Sequence, residues 1–385
     1  MTDTLHVAMV VHSLNHNNIG RVYPFLRAFV GIPEVQMRLI GWDHTGTLSP
    51  LLNDLPWPVV PLRGAMTGVK AQAALAKAVE GCNVLHCFKN QAHLHTALHV
   101  AHQQHVPLVL DLDDWELGLY LEGVARWPRW RQWLWGGPIT RHIADALELE
   151  QITRTEPAAL VVNSTALQAH FGGSIVYTAA DAALFDPCAA DGTAFRAMYG
   201  LPIGAPVIGF LGTPHPHKGV DELLAAFTTV REIHPDVQLL FVGVPAHNAY
   251  HDRLLAIPGV TVTDYLEASA YPHAYGACDV IAIPQRAVTE GIMQTPAKLI
   301  LAMAAARPII ATRVGDMPAI LGETGMLVSP GQVQELAAAL VQLLSAPNLR
   351  IALGTAARER FLAHFTLDRL RERMLIIYRE ARENT

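Results

Sequence analysis

The sequence predicts an α/β protein made of two doubly wound, Rossmann-like domains, and three observations carry this prediction. Short apolar runs that end in Gly, Ser, Asp or Pro alternate with helical patterns along the whole chain, which is typical of parallel sheets with crossover helices. The alternation stops at a stretch rich in Pro, Gly and Ala between residues 186 and 206 and then starts again. A chain of 385 residues is long enough for two such domains.

Composition and charge exclude several classes of protein. Hydrophobic residues make up 51% of the chain and charged residues only 16%, which excludes a disordered protein. The longest apolar run, residues 299–312, is broken by Arg307 and Pro308, so we expect no transmembrane helix. The net charge of −6 gives no bulk attraction for nucleic acid. The four cysteines form no CxxC pair and no secretory signal is visible, so we expect a cytoplasmic protein.

The predicted strands fall into two groups. Those of the first domain span residues 5–11, 35–40, 84–88, 108–112 and 160–163. Those of the second span residues 207–211, 238–242, 260–262, 280–283, 309–311 and 325–328. Ligands bind at the carboxyl ends of strands in open parallel sheets, so two such domains face to face predict one interdomain cleft that holds the site.

The second half carries motifs in a characteristic order. They are VIGFLG at 207–212, KGVDELLAAF at 218–227, YGACDVIAIP at 275–284, LAMAAARPIIAT at 301–312 and GMLVSP at 325–330. In this order and spacing they resemble the GT-B glycosyltransferases, most closely glycosyltransferase family 4, the glycosyl transferases of group 1. The resemblance implies an acceptor-side domain at 1–183, a donor domain at 184–364, and a terminal helix at 365–385 that returns to the first domain.

The resemblance also implies an activity. Members of the family move a sugar from a nucleoside-diphosphate sugar to a hydroxyl group of a glycan, lipid or small-molecule acceptor, with retention of configuration and without a metal cofactor. Two alternatives stay open: a degenerate homologue that binds nucleotide or glycan without transfer, and a sugar-nucleotide epimerase of the same fold. The epimerase is disfavoured because the sequence shows no paired carboxylates.

Lys218 is the first predicted catalytic residue. When the donor bond breaks, negative charge grows on the β-phosphate, and a cation is needed there. Lys218 follows Gly212 and Thr213 in the same loop and precedes Gly219, and glycines let the backbone approach a ligand closely. Its position matches the phosphate lysine of the family, and the alternative is a solvated loop lysine. Gly212 and Thr213 are predicted to bind the donor with it.

A second anion site is predicted at a helix start. Thr295 and Pro296 suggest an N-cap followed by proline at the first helical position, with the helix running to about Ala306. The unpaired amides there attract anions, and Lys298 adds a positive charge in a turn where the helix dipole disfavours one. An ordinary cap with a surface lysine is the alternative.

The donor motif departs from the family pattern. Leu301 stands where the second of two glutamates belongs, and Thr213 replaces the arginine that usually follows the strand glycine. Glu290 is the candidate for the first glutamate, which contacts the sugar, although it lies further from Leu301 than the motif spacing. Arg286 is the candidate replacement for the arginine. A structural ion pair between Arg286 and Glu290 is the alternative.

Four residues are predicted to lie on the acceptor side, by their place after strands or by the resemblance: Asn18, Gly20, His86 and Asp114. Asp113 is predicted to orient an acceptor hydroxyl or to contact the sugar, with capping of the strand end as the alternative. Asp111 and Asp113 mimic a metal-binding DxD motif, but this motif lies on the wrong domain for the donor phosphates, so we expect no metal.

Two further features lie in predicted helices. His95, His99 and His102 have the spacing of a zinc site, but no fourth ligand is visible, so a polar helix face is favoured. Residues 126–135 hold three arginines and four tryptophans, Trp127, Trp130, Trp133 and Trp135. This mixture suits a peripheral contact with the inner face of a membrane, or a stacking platform for sugar rings. Packing into the core is the alternative.

Overall fold

The structure of the protein, a computed structural model, describes residues 4–15, 19–125 and 127–383. These residues form two compact units. One unit comprises the described residues up to Tyr177 together with those from Leu367 onward, and the other is Thr178–Thr366.

The first unit is built on a parallel sheet of seven strands. They are β1 Leu5–Val11, β2 Val35–Trp42, β3 Val59–Leu62, β4 Val84–Phe88, β5 Leu108–Leu112, β6 Ala159–Val162 and β7 Ser174–Ile175. Their spatial order is β3-β2-β1-β4-β5-β6-β7. β4 pairs in parallel with both β1 and β5. The carboxyl ends of these three strands therefore lie side by side at one edge of the sheet.

Among the described residues, eight α-helices belong to the first unit. They are α1 Val22–Ala28, α2 Val69–Ala78, α3 His93–Gln104, α4 Glu116–Ala125, α5 Arg129–Leu134, α6 Gly136–Thr155, α7 Thr165–Phe171 and the last helix of the chain, α17 Leu367–Glu383. The last helix packs against α1 and bears the buried residues Met374 and Tyr378 on its apolar face. The described part of the C-terminus thus completes the core of the first unit.

The second unit is built on a parallel sheet of six strands. They are β8 Val207–Leu211, β9 Gln238–Val242, β10 Val260–Thr263, β11 Val280–Ile283, β12 Ile309–Thr312 and β13 Met326–Val328, in the spatial order β10-β9-β8-β11-β12-β13. β8 pairs directly with β11. The loops that follow these two strands are therefore neighbours at the carboxyl edge of the sheet.

Nine helices surround the second sheet. They are α8 Gly192–Met198, α9 Val220–Ile233, α10 His251–Leu255, α11 Tyr271–Gly276, α12 Thr289–Met293, α13 Ala297–Ala304, α14 Met317–Leu321, α15 Val333–Ser345 and α16 Pro347–His364. Fully buried side chains of α9 and α15, among them Phe227 and Leu340, share one apolar cluster with the sheet. No single helix of the described residues is long and apolar enough to cross a membrane; α15 and α16, bent by 102°, meet that test only as a pair.

The prediction of two doubly wound α/β domains is confirmed, and each predicted strand is present. Two strands, β3 and β7, were not predicted from the sequence, and they lie at opposite edges of the first sheet. Both are short, and β3 contains Pro61, which is tolerated at a sheet edge because the missing N–H is not needed there.

The chain leaves the first unit at Tyr177 instead of residue 183. The reason lies in contacts made by the segment after Tyr177. The Arg358 guanidinium donates to the carbonyl oxygens of Ala182 and Phe185, at 2.7 Å and 3.1 Å. These bonds tie the segment to α16 of the second unit.

Candidate active site

A glycine-bounded loop follows β8 at the carboxyl edge of the second sheet. Gly212 has φ +123° and Gly219 has φ +69°, values that favour glycine. A Cβ atom on Gly219 would lie 1.8 Å from the carbonyl oxygen of Pro284, which follows β11. Residues 212–219, named the lysine loop here after Lys218, are therefore pressed against the end of the neighbouring strand.

Lys218 folds back over its own loop. Its Nζ atom donates a hydrogen bond of 2.8 Å to the carbonyl oxygen of Thr213. The Thr213 hydroxyl lies 3.2 Å from the hydroxyl of Tyr265. This contact keeps the ammonium group of Lys218 at the carboxyl edge of the sheet.

Lys298, in the first turn of α13, has a buried side chain. Only 8% of the residue is exposed, and among the described residues its Nζ atom has no hydrogen-bond partner. The ammonium lies 3.6 Å from the centroid of the Phe210 ring. Burial and the positive charge of Lys218 hold the pKa of Lys298 well below its ordinary value. A buried cation without a counterion is costly, so this position suits a bound anion.

The start of α13 differs from the prediction in one respect. Pro296, not Thr295, occupies the N-cap position, and the helix runs from Ala297 to Ala304. Thr295 therefore does not cap the helix, and its buried Oγ1 atom has no partner among the described residues. The cause is the proline, whose extended backbone with ψ 117° delays the first helical residue. The Thr295 hydroxyl is thus a second buried polar group near this helix start that has no partner among the described residues.

Arg286 and Glu290 do not pair with each other. Arg286 donates to the Glu222 carboxylate at 2.6 Å and lies 3.4 Å from that of Asp221. Glu290, on α12, lies 3.2 Å from Nδ1 of His217 in the lysine loop. The alternative of a shared ion pair is therefore wrong. Arg286 must leave two carboxylates before it can bind a phosphate, whereas Glu290 is joined to the loop that carries Lys218.

In the first unit, the carboxylate of Asp111, near the end of β5, is already bound by a cation of the protein. Its carboxylate receives two hydrogen bonds from Arg21, at 3.0 Å and 3.1 Å. Burial alone raises the pKa of Asp111, but the Arg21 charge and the nearby His86 outweigh it, so the pKa lies below its ordinary value. Among the described residues, no group of three or more His, Cys, Asp or Glu side chains is arranged to hold a metal ion.

Asp113 and Asp114 share one lysine. Lys89, which follows β4 and has φ +71°, places its Nζ atom 3.2 Å from Asp113, 2.6 Å from Asp114 and 3.2 Å from Glu116. Burial, partly offset by Lys89, raises the pKa of Asp113 to about 6. The two aspartates are thus partly buried acceptors at the carboxyl edge of the first sheet.

His86 does not line an open surface. The residue is completely buried, with Nδ1 2.8 Å from the hydroxyl of Tyr378 on α17 and Nε2 3.6 Å from Asp111. Burial lowers the pKa of His86, so the ring is neutral and serves the packing of α17. Gly20 is exposed and directly precedes Arg21. Asn18 lies outside the described residues.

The tryptophan-rich segment is exposed. Trp130, Trp133 and Leu134 share one face of α5 and are 68%, 83% and 63% exposed, and Trp135 is 50% exposed. Arg131 stacks on Trp127, 4.2 Å from the ring centroid. The alternative of packing into the core is therefore wrong for these side chains.

Three residues of these sites were missed from the sequence. Arg21, Lys89 and His217 act as partners of carboxylates that were predicted, and each lies next to or within a predicted motif. Pairs between residues far apart in the sequence leave no local sequence pattern. The only signal for these three residues was their position in loops after strands, where functional residues are common.

Comparisons with known proteins agree with the fold. Residues 205–346 match the family described as "Glycosyl transferases group 1". The D-inositol 3-phosphate glycosyltransferase of Segniliparus rotundus is 30% identical over 220 residues, which cover 54% of this chain and 46% of the relative. A GDP-mannose-dependent monoacylated alpha-(1-6)-phosphatidylinositol monomannoside mannosyltransferase of Corynebacterium glutamicum is 30% identical over 189 residues, 48% of this chain and 50% of the relative. The chain spans about half the length of the curated relatives it matches.

Solved structures extend the likeness in fold to the whole chain. Sucrose-phosphate synthase from Thermosynechococcus elongatus superposes with a TM-score of 0.72 at 18% identity, covering 99% of this chain and 100% of the other. Anabaena Alr3699/HepE in complex with UDP and glucose gives a TM-score of 0.75 at 16% identity, covering 97% and 99%. The chain therefore has the GT-B fold, and its residues 205–346 match the model of the glycosyl transferases of group 1.

Proposed function

We propose that this protein is a glycosyltransferase that moves a sugar from a nucleoside-diphosphate sugar to a hydroxyl group of a glycan, lipid or small-molecule acceptor, with retention of configuration. The observation that carries the proposal is the buried ammonium of Lys298, which has no hydrogen-bond partner among the described residues. The lysine loop with Lys218 follows β8 of the same sheet. The positive charge of Lys218 contributes to the lowered pKa of Lys298.

Burial and the charge of Lys218 depress the protonation of Lys298, and this destabilises the unliganded protein. A diphosphate placed against the two lysines offsets the repulsion between them and supplies a hydrogen-bond acceptor for Lys298 Nζ, which has none among the described residues. In the reaction, the bond between the sugar carbon and the β-phosphate oxygen breaks, and its electrons stay on the phosphate. Lys218 and Lys298 stabilise that charge as it forms. The acceptor oxygen forms the new bond to the sugar carbon, and its proton passes to the departing phosphate oxygen.

The donor site is proposed to contain residues of the lysine loop and of the two segments beside it: Gly212, Thr213, Lys218, Arg286, Glu290, Thr295 and Lys298. Glu290 is proposed to accept hydrogen bonds from the sugar, and Asp113 and Asp114 to accept one from the acceptor hydroxyl. No metal is proposed, because two lysines and the amides at the start of α13 supply the positive charge.

The names of similar proteins support a nucleotide-sugar donor. A relative is named for its dependence on GDP-mannose, and a structural neighbour was solved with UDP-glucose. These two compounds are therefore the first donors to test, each beside its nucleoside diphosphate.

A second candidate function is a homologue that binds the nucleotide or a glycan without transfer. It is favoured by Leu301, a half-buried apolar residue at the position where the family has its second glutamate. Loss of that carboxylate removes an acceptor for the ribose hydroxyls.

Ligand binding followed by turnover separates these possibilities. A bound donor stabilises the folded protein by mass action, so we expect UDP, GDP, UDP-glucose or GDP-mannose to raise the melting temperature. Release of the nucleoside diphosphate in the presence of an acceptor would establish transfer. Binding without hydrolysis or transfer would favour the second candidate, conversion of the sugar nucleotide into an isomer would reveal an epimerase, and no binding of any nucleotide would overturn the proposal.

We also propose a peripheral contact with a membrane surface through the exposed face of α5. Exposed tryptophans beside arginines are typical of segments that lie in the lipid interface. Residues 123–144 contain four arginines and no acidic residue, in a chain of net charge −6. We expect sedimentation with anionic but not with neutral vesicles, and we expect the doubly substituted W130S/W133S protein to lose it. Equal sedimentation of that variant would argue against the contact.

A further inference from the structure

The His217 side chain joins the lysine loop to the short helix that carries Glu290. Its Nδ1 atom lies 3.2 Å from Oε2 of Glu290. Both side chains are largely buried, with 12% of the His217 side chain and 18% of that of Glu290 exposed. Neither the family resemblance nor the sequence assigns a role to this histidine, which directly precedes Lys218.

The backbone around His217 is fixed by two further contacts. The Arg286 amide donates a hydrogen bond of 2.8 Å to the carbonyl oxygen of His217. Gly219, two residues later, packs against Pro284 so closely that no side chain fits between them. The direction in which the imidazole points is therefore set by the packing of the lysine loop on the segment after β11.

Glu290 needs such a partner because its own helix gives it little support. The helix α12 spans only Thr289–Met293, and a helix of this length has little stability by itself. In the family that this chain resembles, the corresponding glutamate belongs to a motif that ends with the second glutamate, which is Leu301 here. Glu290 lies on a separate helix before α13, so its orientation must come from outside that motif.

We infer that His217 is a positioning residue that orients the Glu290 carboxylate toward the hydroxyl groups of the donor sugar. Nδ1 of His217 donates to one carboxylate oxygen of Glu290, 3.2 Å away, and this contact fixes the plane of the carboxylate. The inference rests on the proposed function, since it assumes a sugar-bearing donor. It adds a group that acts on the sugar through Glu290 and does not touch the diphosphate.

A purely structural role predicts a different result. If His217 only clamps the two segments together, its loss should disturb the lysine loop and weaken bare nucleoside diphosphates as much as nucleotide sugars. If it positions Glu290, its loss should weaken only the ligand that carries the sugar. Comparing the two ligands thus separates the roles even if the variant is less stable.

The experiment measures the affinities of UDP and UDP-glucose, and of GDP and GDP-mannose, by calorimetry. The proteins are the wild type, H217A, H217N, E290Q and the double variant H217A/E290Q. Asparagine places an amide N–H near the position of Nδ1 and is the conservative replacement. The matched control is H234A, which removes an imidazole that lies after the C-terminal end of α9 and contacts Ser345 at 3.2 Å.

We expect H217A to weaken the nucleotide sugar by about tenfold, the scale of one hydrogen bond to a charged group, and to leave the nucleoside diphosphate unchanged. H217N should recover most of the loss, and the double variant should be no weaker than E290Q because the two residues act as one unit. In turnover, the loss should appear in KM for the donor more than in kcat.

Three results would overturn the inference. An unchanged affinity for the nucleotide sugar in H217A would remove any role for the histidine. An equal loss for both ligands would assign it to the structure of the loop. Additive losses in the double variant would show that it does not act through Glu290. If the wild type bound the diphosphate but not the sugar nucleotide, the proposed function itself would fail, and this inference with it.

Discussion

The Lys298 ammonium lies over the face of the Phe210 ring, 3.6 Å from its centroid, at the carboxyl edge of the second sheet. The negative face of an aromatic ring attracts a cation, but this attraction is weaker than that of a carboxylate. Phe210 thus offsets part of the cost of burying an ammonium that has no hydrogen-bond partner among the described residues. This arrangement favours ligand binding at a cost to the stability of the free protein.

The first prediction follows from that cost. K298M keeps the apolar contact with Phe210 and removes the buried charge, so we expect the free protein to gain stability on the order of 1 kcal/mol near neutral pH. The pKa of Lys298 in the folded protein lies below its ordinary 10.5, which applies to the unfolded chain. The wild type therefore gains stability as the pH rises from the folded-state pKa to the unfolded-state pKa. The advantage of K298M should therefore shrink toward high pH.

Denaturant unfolding of both proteins across pH, together with the affinity for UDP or GDP, tests this. We expect K298M to bind the diphosphate more weakly while it melts at a higher temperature. A less stable K298M protein with unchanged affinity would mean that the lysine serves packing alone.

The second prediction concerns Lys218. We expect K218A to lower the rate of transfer by about 100-fold or more, the scale of removing one charge stabiliser from a transition state. The measurement is kcat with saturating donor, with circular dichroism to verify folding. Near-normal turnover in a folded K218A protein would remove Lys218 from the mechanism.

The third prediction concerns metal ions. Activity should survive EDTA, because Lys218, Lys298 and the amides at the start of α13 take the place of a divalent cation. The comparison is turnover before and after chelation, with added manganese or magnesium as the control. A strict requirement for either ion would return Asp111 and Asp113 to consideration, even though Asp111 is held by Arg21.

The fourth prediction concerns the altered donor motif. E290Q should weaken binding of UDP-glucose or GDP-mannose, because the amide is a poorer hydrogen-bond acceptor than the carboxylate, both for the sugar hydroxyls and for Nδ1 of His217. L301E should not abolish binding, since it restores an acceptor at the position where the family has one. Calorimetry on both variants measures this. An E290Q protein that binds the donor as tightly as the wild type would show that the carboxylate charge is not needed.

The fifth prediction concerns Asp113. Burial raises its pKa from the ordinary 3.8 to about 6, so the folded state favours the protonated form. The wild type therefore loses stability as pH rises through this interval, and the loss is complete above it. We expect D113N to be more stable than the wild type at pH 8, on the order of 1 kcal/mol, and to lose this advantage below pH 4. Thermal melts at both pH values measure it, and a difference that does not change with pH would contradict the assigned shift.

How far the sequence predicted this protein depends on the range of the interactions involved. Parallel strands buried on both faces leave continuous apolar runs, so eleven strands were visible in the sequence. The edge strands β3 and β7 were not, since short strands at an edge carry a weak pattern. The lysine loop was also visible, because Gly212 and Gly219 are required by local backbone conformation.

Pairings between distant segments were decided by the tertiary structure alone. From the sequence, Arg286 and Glu290 were candidates for one ion pair. In the structure, Arg286 pairs with Glu222, and Glu290 contacts His217. The sequence placed His86 at a strand end, but the fold buries it beneath Tyr378, which lies 292 residues later. The residue types and the strand ends are local properties that a sequence records. Which charged groups meet, and which one is buried without a hydrogen-bond partner among the described residues, depends on how the sheets and helices pack, and that is set by the whole chain.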